Sequence, residues 1–229
     1  MGFMAGATTT TRRVDKHRAI LDAALDVFAR RGYADSTLDE VAEAAGVAKP
    51  TIYNHFGDKA GLFAAVVEAS SKDANARVAD VIAATSSDPD DLRAELETLA
   101  HSLVHCLQGG AGSATMRLQL VEGARFPELI SRVRDGNRDR TLDLLAGKLA
   151  QLGATGHLRL ADPGRAARQL MALVSDEPLV NSGFGARPVD PAVVDRAVTE
   201  GVTRSSRRSA RRTPGPEPAA SDGEPEAGQ

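Results

Sequence analysis

Three hydrogen-bonding side chains share one face of a predicted helix near residue 50. The polar residues, at spacings of three and four, are Thr51, Asn54 and His55. Two apolar residues in the same stretch, Ile52 and Phe56, lie four apart. Residues at these spacings share a helix face, so the apolar pair would point inward and the polar three outward. Each polar side chain can reach base edges or phosphates, and Asn is suited to adenine. The spacing therefore predicts a helix with a DNA-facing surface.

The residues before this helix carry start and stop signals for another short helix. Thr37 can cap its first amides, and Glu40, three places on, can complete a capping box. Gly46 supplies a left-handed stop, and Pro50 is tolerated in a first turn because its missing amide hydrogen is not needed there. Two short helices joined by such a turn form the skeleton of a helix-turn-helix, whose second helix enters the major groove.

Further residues around this motif are candidates for contacts with DNA. Tyr53 lies at the edge of the polar face, where its hydroxyl can meet a phosphate. Lys59 begins the following helix and combines a mobile cation with free amides, both of which favour phosphate. The predicted DNA-binding residues are Thr37, Lys49, Thr51, Tyr53, Asn54, His55 and Lys59.

The segment STLDEVAEAAGVAKPTIYNHFGDKAGLF, residues 36–63, resembles the DNA-binding segment of the TetR family of bacterial transcriptional regulators. The resemblance extends over about residues 14–70. It implies an all-helical homodimer, most simply a repressor, whose remaining helices form a ligand pocket and whose effector changes the separation of the two DNA-reading parts. A dimer of this kind needs a palindromic operator with half-sites about one helical turn apart, ~34 Å, or a multiple of it.

Two positions depart from the family pattern. Ala48 stands where members often have Ser or Thr, and a missing cap costs a helix about 1 kcal/mol. Gly61 stands where a better helix former is expected. Both departures are predicted to weaken the local helices without removing a DNA-facing group.

Apolar residues recur at helical spacing through most of the chain, and convincing strand alternation is absent from the sequence. The predicted fold is all-α, with an N-terminal three-helix helix-turn-helix DNA-binding domain followed by a helical ligand-binding and dimerisation domain. The predicted helices cover 14–31, 37–45, 50–56, 58–84, 90–107, 113–123, 127–152, 163–181 and 190–204. The predicted divisions are a flexible arm at 1–13, the DNA-binding domain at 14–74, the effector and dimerisation domain at 75–204, and a disordered tail at 205–229.

Charge and hydropathy limit the classes of function. The net charge is -3, and residues 1–60 carry as many acidic as basic side chains, so DNA affinity must come from local placement of charge. The longest apolar run, Leu62 to Val67, is far shorter than the ~20 residues of a membrane span. A cytoplasmic protein without cofactor is expected.

Arg12 and Arg13 could enter the minor groove, with a solvated tail as the alternative. The basic run 204–212 is expected to be disordered.

His101, His105 and Cys106 form the one cluster that resembles a ligand or metal site, because residues four apart share a helix face. A zinc site lacks a fourth ligand here, and the Glu of a zinc-protease helix is missing. These three residues and Met116 are therefore predicted to bind an effector. Two other classes stay open: an enzyme built around this cluster, and a helical interaction protein with a vestigial helix-turn-helix.

The last two predicted helices carry apolar faces that suit a four-helix contact between dimer mates. An internal core would use the same residues, so both interpretations stay open at this point. The residues concerned are Ala167, Leu170, Met171, Val174, Val193, Val194 and Ala197.

Overall fold

The computed structural model describes the backbone of residues 6–210 and the side chains of residues 16–205. Within residues 6–210 the chain forms nine helices and no strand, which confirms the predicted all-α class. The helices are α1 (Gly6–Asp35), α2 (Leu38–Ala45), α3 (Lys49–Phe56), α4 (Lys59–Ala84), α5 (Leu92–Gln108), α6 (Gly110–Glu122), α7 (Pro127–Ala154), α8 (Pro163–Asn181) and α9 (Pro191–Ala210). None of these helices is long and apolar enough to cross a membrane.

The terminal helices are longer than predicted. Helix α1 begins at Gly6, so residues 6–13, predicted to be a flexible arm, have helical backbone. Helix α9 continues to Ala210, into the segment predicted to be disordered. Neither stretch contains a proline or an internal glycine, so nothing in the sequence stops either helix at the predicted boundary. The side chains of Arg12 and Arg13, and residues 211–229 of the predicted tail, lie outside the described residues.

The first of two apolar cores joins the helix-turn-helix to helices α1 and α4. Phe28 and Phe63 lie at its centre with almost no exposed surface. Leu118 of α6 and Ile130 of α7 belong to the same core, so the N-terminal helices pack directly on the rest of the chain. This packing limits how far the helix-turn-helix can move without disturbing α6.

The second core lies between α4, α5, α7, α8 and α9. Ala167, Leu170 and Val174 of α8 are fully buried in it, and Val193 and Ala197 of α9 are buried as well. Met171 and Val194 are partly buried against the same core. Most of the apolar side chains that could have met a dimer mate are thus covered inside one protomer, because α8 and α9 pack on each other and on α5. The internal-core alternative is the correct one for the five buried residues.

Helix α4 contributes to both cores. Leu62 and Val66 are buried in the first core, and Val78 and Ile82 in the second. The predicted domain division at residue 74 therefore falls within one continuous helix, which links the two parts of the chain mechanically.

The structure shows why residue 61 is a glycine, which the sequence did not reveal. A Cβ atom placed there would lie 2.2 Å from the carbonyl oxygen of Phe56, the last residue of α3. The expectation that a better helix former belongs at this position is therefore wrong. The absence of a side chain allows α4 to start directly against the end of α3.

We expect Gly61→Ala to lower the free energy of unfolding, although alanine is the better helix former by about 1 kcal/mol. The clash with the Phe56 carbonyl should outweigh that gain, since overpacking typically costs about 1–3 kcal/mol. Gly147→Ala is the matched control, because Gly147 lies within α7 and its Cβ would meet nothing within 4 Å. Urea unfolding should give opposite signs for the two variants, and equal stabilisation by both would contradict the close approach.

Candidate functional site

The capping box predicted for α2 is present. The amide of Glu40 donates to the Thr37 hydroxyl at 3.2 Å, and the amide of Thr37 donates to the Glu40 carboxylate at 2.9 Å. These reciprocal bonds fix the start of the first helix of the motif. Thr37 is exposed, and its hydroxyl already accepts the hydrogen bond that caps α2.

The turn after α2 has the expected left-handed geometry. Gly46 has φ 63° and ψ 34°, a conformation in which glycine avoids the steric cost of a side chain. The amide of Val47 donates to Ala42 O at 2.9 Å, and the amide of Gly46 donates to Glu43 O at 3.1 Å. This pair of bonds is a Schellman motif, which ends α2 and sets the direction of α3. Ala48 makes no side-chain capping bond, as predicted.

Helix α3 has one fully buried side chain and a polar outer face. Ile52 is 0% exposed, whereas Tyr53 is 46% exposed and Asn54 is also exposed. Thr51 is half-buried. The helix therefore has the orientation that its residue spacing predicts, with hydrogen-bonding groups on the side away from the core.

His55 is less accessible to DNA than its position in the sequence predicted. Its ring centroid lies 5.7 Å from that of His17 on α1 and 5.9 Å from that of Phe56. The His17 and Phe56 rings are themselves 4.9 Å apart. His55 is thus half-buried and helps to pack α3 against α1, in addition to any contact with DNA.

Both lysines predicted at the DNA face have intramolecular partners. Lys49 Nζ lies 2.8 Å from Asp39 Oδ2 on α2, and this hydrogen bond raises the pKa of Lys49. Lys59 Nζ donates to Ser36 O and, at 3.3 Å, to Ala34 O. These partners hold the start of α4 against the end of α1. A phosphate would have to compete with them, which the sequence could not show, since the Lys59 partners are distant along the chain.

A cavity of about 840 Å³ lies between α5, the start of α6, the start of α9 and the segment that joins α8 to α9. Three of the predicted effector residues, His101, His105 and Cys106, lie on its wall. Met116 does not line it. Its neighbour Arg117 does, together with Ser113 one turn earlier, because the register of α6 turns these two positions towards the cavity.

The chemistry of the cavity wall argues against a reactive thiol. Burial raises the pKa of Cys106, so the thiol is held protonated rather than as the nucleophilic thiolate. His101 Nε2 lies 3.7 Å from Asp195 Oδ1. In the part of the chain that the structure describes, no three His, Cys, Asp or Glu side chains are grouped so that they could hold a metal ion.

The C-terminal end of α6 contacts the N-terminal helices through Glu122. This carboxylate is 6% exposed and accepts a hydrogen bond of 2.7 Å from the amide of Tyr33, 89 positions away. Gly32, with φ 77°, interrupts the helical geometry of α1 next to this bond. The break turns the Tyr33 amide out of the helical hydrogen-bond ladder, and Glu122 satisfies it.

Aromatic rings extend this contact. The Phe126 ring lies 4.9 Å from Tyr33 and 4.5 Å from Phe63, measured between centroids. The Arg125 guanidinium lies 5.2 Å from the centre of the Tyr33 ring. Sequence analysis missed this junction between α6 and α1 because its partners are far apart in the chain and carry no motif.

Comparison with known protein families matches both parts of the chain. Residues 20–66 match the family model described as bacterial regulatory proteins, tetR family. Residues 94–208, half of the chain, match the C-terminal domain of AefR-like transcriptional repressors. The first match contains α2, α3 and the turn between them, and the second contains α6 and all of the cavity wall except Val81 of α4.

Curated relatives are similar over a shorter stretch. The transcriptional activator FasR of Mycolicibacterium smegmatis is 34% identical over 97 residues, which is 42% of this chain and 44% of the relative. The regulator AcrR of Shigella flexneri is 34% identical over 99 residues, 43% of each protein. Each alignment thus spans less than half the length of the relative.

A solved structure is similar over nearly the whole described fold. A regulator from Mesorhizobium loti MAFF303099, assigned to the TetR family, has a TM-score of 0.76 and 26% sequence identity, and the match covers 85% of this chain and 96% of that one. Together these matches exclude the enzyme that the histidine and cysteine cluster had left open. The chain belongs to the TetR family of bacterial regulatory proteins and is a DNA-binding transcriptional regulator.

Proposed function

We propose that the chain acts as a homodimeric repressor that binds a palindromic operator and leaves it when a small molecule enters the cavity beside α5 and α6. The observation that carries the proposal is the one-sided burial of α3. Ile52 holds one side of this helix in the core, and Asn54 and Tyr53 remain exposed on another. A helix held in this way can enter the major groove without losing its packing.

The polar residues of this region take two roles in the proposal. Thr51 and Asn54 read base edges, with the Thr methyl suited to thymine and Asn to adenine. Tyr53 and His55 border that face. Contacts to the phosphates come from Thr37, Lys49 and Lys59, and the two lysines reach phosphate at the expense of their present partners.

Helix α6 supplies the route from effector to DNA. Its first turns line the cavity at Gly110 and Ser113, and its last residue, Glu122, bonds the amide of Tyr33. A ligand that shifts the start of α6 therefore shifts a contact with α1. Because α1 packs on α2 and α4, the position of the helix-turn-helix changes with it.

Dimerisation requires a surface other than the buried faces of α8 and α9. Val180, near the end of α8, is 58% exposed, and Phe184, just beyond it, is 49% exposed. Large apolar side chains near the centre of an interface are typical of stable association. We place the dimer contact around these two residues.

Repression rather than activation is proposed from the C-terminal match. The family model for residues 94–208 is that of a repressor's C-terminal domain, and it covers the whole cavity-lining part of α5 and α6. Release of the operator on ligand binding is the corresponding response.

We expect Asn54→Ala to weaken binding to the operator by about 1–3 kcal/mol and to leave binding to random DNA almost unchanged, since it removes a base contact rather than a phosphate contact. The operator would first be selected from random duplexes by the wild-type protein. Fluorescence anisotropy titrations at several salt concentrations would then measure both affinities.

Asp143→Ala is the control for this experiment, because Asp143 is an exposed polar residue on α7, in the second half of the chain. It should leave both affinities unchanged. Equal losses on operator and random DNA for Asn54→Ala would contradict a base-reading role.

We expect Val180→Glu to raise the dimer dissociation constant at least tenfold, because it places a charge in an apolar contact. Operator affinity should fall as well, since a monomer occupies one half-site. Leu120→Glu, at a 54% exposed position on α6, is the matched control. Analytical ultracentrifugation would show the dimer lost with Val180→Glu alone, and a monomer produced by the control instead would move the interface to α6.

We expect Glu122→Ala to lower the free energy of unfolding by about 1–3 kcal/mol, because the partly buried amide of Tyr33 loses its acceptor. Glu122→Gln keeps an acceptor oxygen at the same place and should lose less. Operator affinity should fall in the same order, since α6 no longer fixes α1. Loss of stability with full operator affinity in both variants would limit the contact to a structural role.

A further inference from the structure

We infer that the cavity takes a small molecule that carries an anionic group, such as a carboxylate, on an apolar body, and that Arg117 binds the anionic group. This inference rests on the proposed role of the cavity as the effector site and names the chemical class of the effector. It is carried by three features of the wall that share Arg117: the charge of the wall, an unsatisfied buried donor, and the register of α6.

The charge of the wall is one-sided. Arg117 and Arg187 line the cavity together with His101 and His105, and no Asp or Glu is among the described residues that line it. Asp195, the carboxylate nearest to the wall in the ion pairs described, faces His101 at 3.7 Å and is itself exposed. A cationic ligand would find no carboxylate among these lining residues, whereas an anion finds two arginine side chains.

Arg117 carries a donor without an acceptor. Its Nε is buried and has no hydrogen-bond partner within the part of the chain that the structure describes. Arg187, in contrast, donates from Nε to Asn181 O at 2.8 Å. Buried donors in folded proteins are nearly always satisfied. The Nε without an acceptor marks the Arg117 guanidinium as one that no carboxylate of the described residues holds, and this residue lines the cavity.

The register of α6 adds further groups on the same side. Gly110, Ser113 and Arg117 follow one another at spacings of three and four, so they share one helix face, and all three line the cavity. Helix α6 starts without a side-chain cap, and the amides at a helix N-terminus favour an anion. The Ser113 hydroxyl lies between this N-terminus and Arg117 along the face and donates to Gly110 O at 3.2 Å, a bond that an anion would have to replace.

The remaining wall is apolar and spacious. Val81, Val104 and Val194 line it from three different helices, and Pro188 and Pro191 close the side near α9. A volume of about 840 Å³ lies within the ~300–1,000 Å³ typical of small-molecule sites. An apolar body of the size of a medium-chain or bicyclic organic acid fits these walls, with its charged end at α6.

The test compares ligands that differ in charge but hardly in shape. Octanoate is paired with octanamide, and 2-naphthoate with 2-naphthamide, so that a flexible and a rigid body are both sampled. Isothermal titration calorimetry with the full chain would measure their binding at neutral pH. We expect at least one acid to bind, and to bind at least tenfold more tightly than its amide.

Variants then locate the anionic contact. Arg117→Met should abolish the preference for acid over amide, Arg117→Lys should keep part of it, and Arg187→Met should reduce it less, because Arg187 is already bonded to Asn181. Operator affinity without ligand, measured for each variant, shows whether the fold and the DNA-binding surface are intact. Absence of operator binding by the wild-type chain would overturn the proposed function. The calorimetry would still show whether the cavity prefers an acid to its amide, because it does not depend on DNA.

Three results would overturn the inference. They are equal affinity of acid and amide for the wild-type protein, absence of binding by both acids, and an acid preference that Arg117→Met leaves unchanged. Tighter binding of the amides would indicate a neutral ligand that uses the wall for hydrogen bonding alone.

Discussion

Helix α3 has eight residues, which is too short for a stable helix in water without tertiary contacts. Its stability therefore depends on the burial of Ile52 and on the turn at Gly46 that directs it into the core. Because Ile52 is the one buried residue of α3, only one side of this helix packs on the core. The opposite, polar side stays open to solvent. The DNA-binding role of the chain, and the proposed response to a ligand, depend on this one-sided burial.

The second half of the chain, from α5 onward, is connected to α3 through α6 and α4. Helix α6 touches the cavity at one end and the Tyr33 amide at the other, and α4 contributes side chains to both cores. Packed helices move as bodies rather than bending continuously. In the proposed mechanism a ligand held at the start of α6 therefore acts on the helix-turn-helix without touching it.

The features that the sequence predicted are those with local causes. The capping box of Thr37 and Glu40, the stop at Gly46 and the inward position of Ile52 all follow from neighbours within a few residues. Two of the features it missed have distant partners: the Lys59 contact with the Ser36 carbonyl and the Glu122 contact with Tyr33. The close approach of Phe56 O to Gly61 joins near neighbours, but it depends on the turn between α3 and α4 rather than on helix propensity. The apolar faces of α8 and α9 could be assigned to the protomer's own core only once their packing was known, since internal and intermolecular burial require the same side chains.

The most direct test of the account places a DNA-cleaving iron chelate on the outer side of α3. Cys106→Ser removes the chain's one cysteine, and Tyr53→Cys then supplies a single attachment point at a position that is 46% exposed in the native protein. We expect cleavage of a selected operator at two sites related by the operator's symmetry, about one helical turn or a multiple of it apart. Attachment at Val121→Cys on α6, 69% exposed, should give no such pattern. Cleavage from Val121 and not from position 53, or scattered cleavage from both, would contradict the claim that α3 enters the major groove.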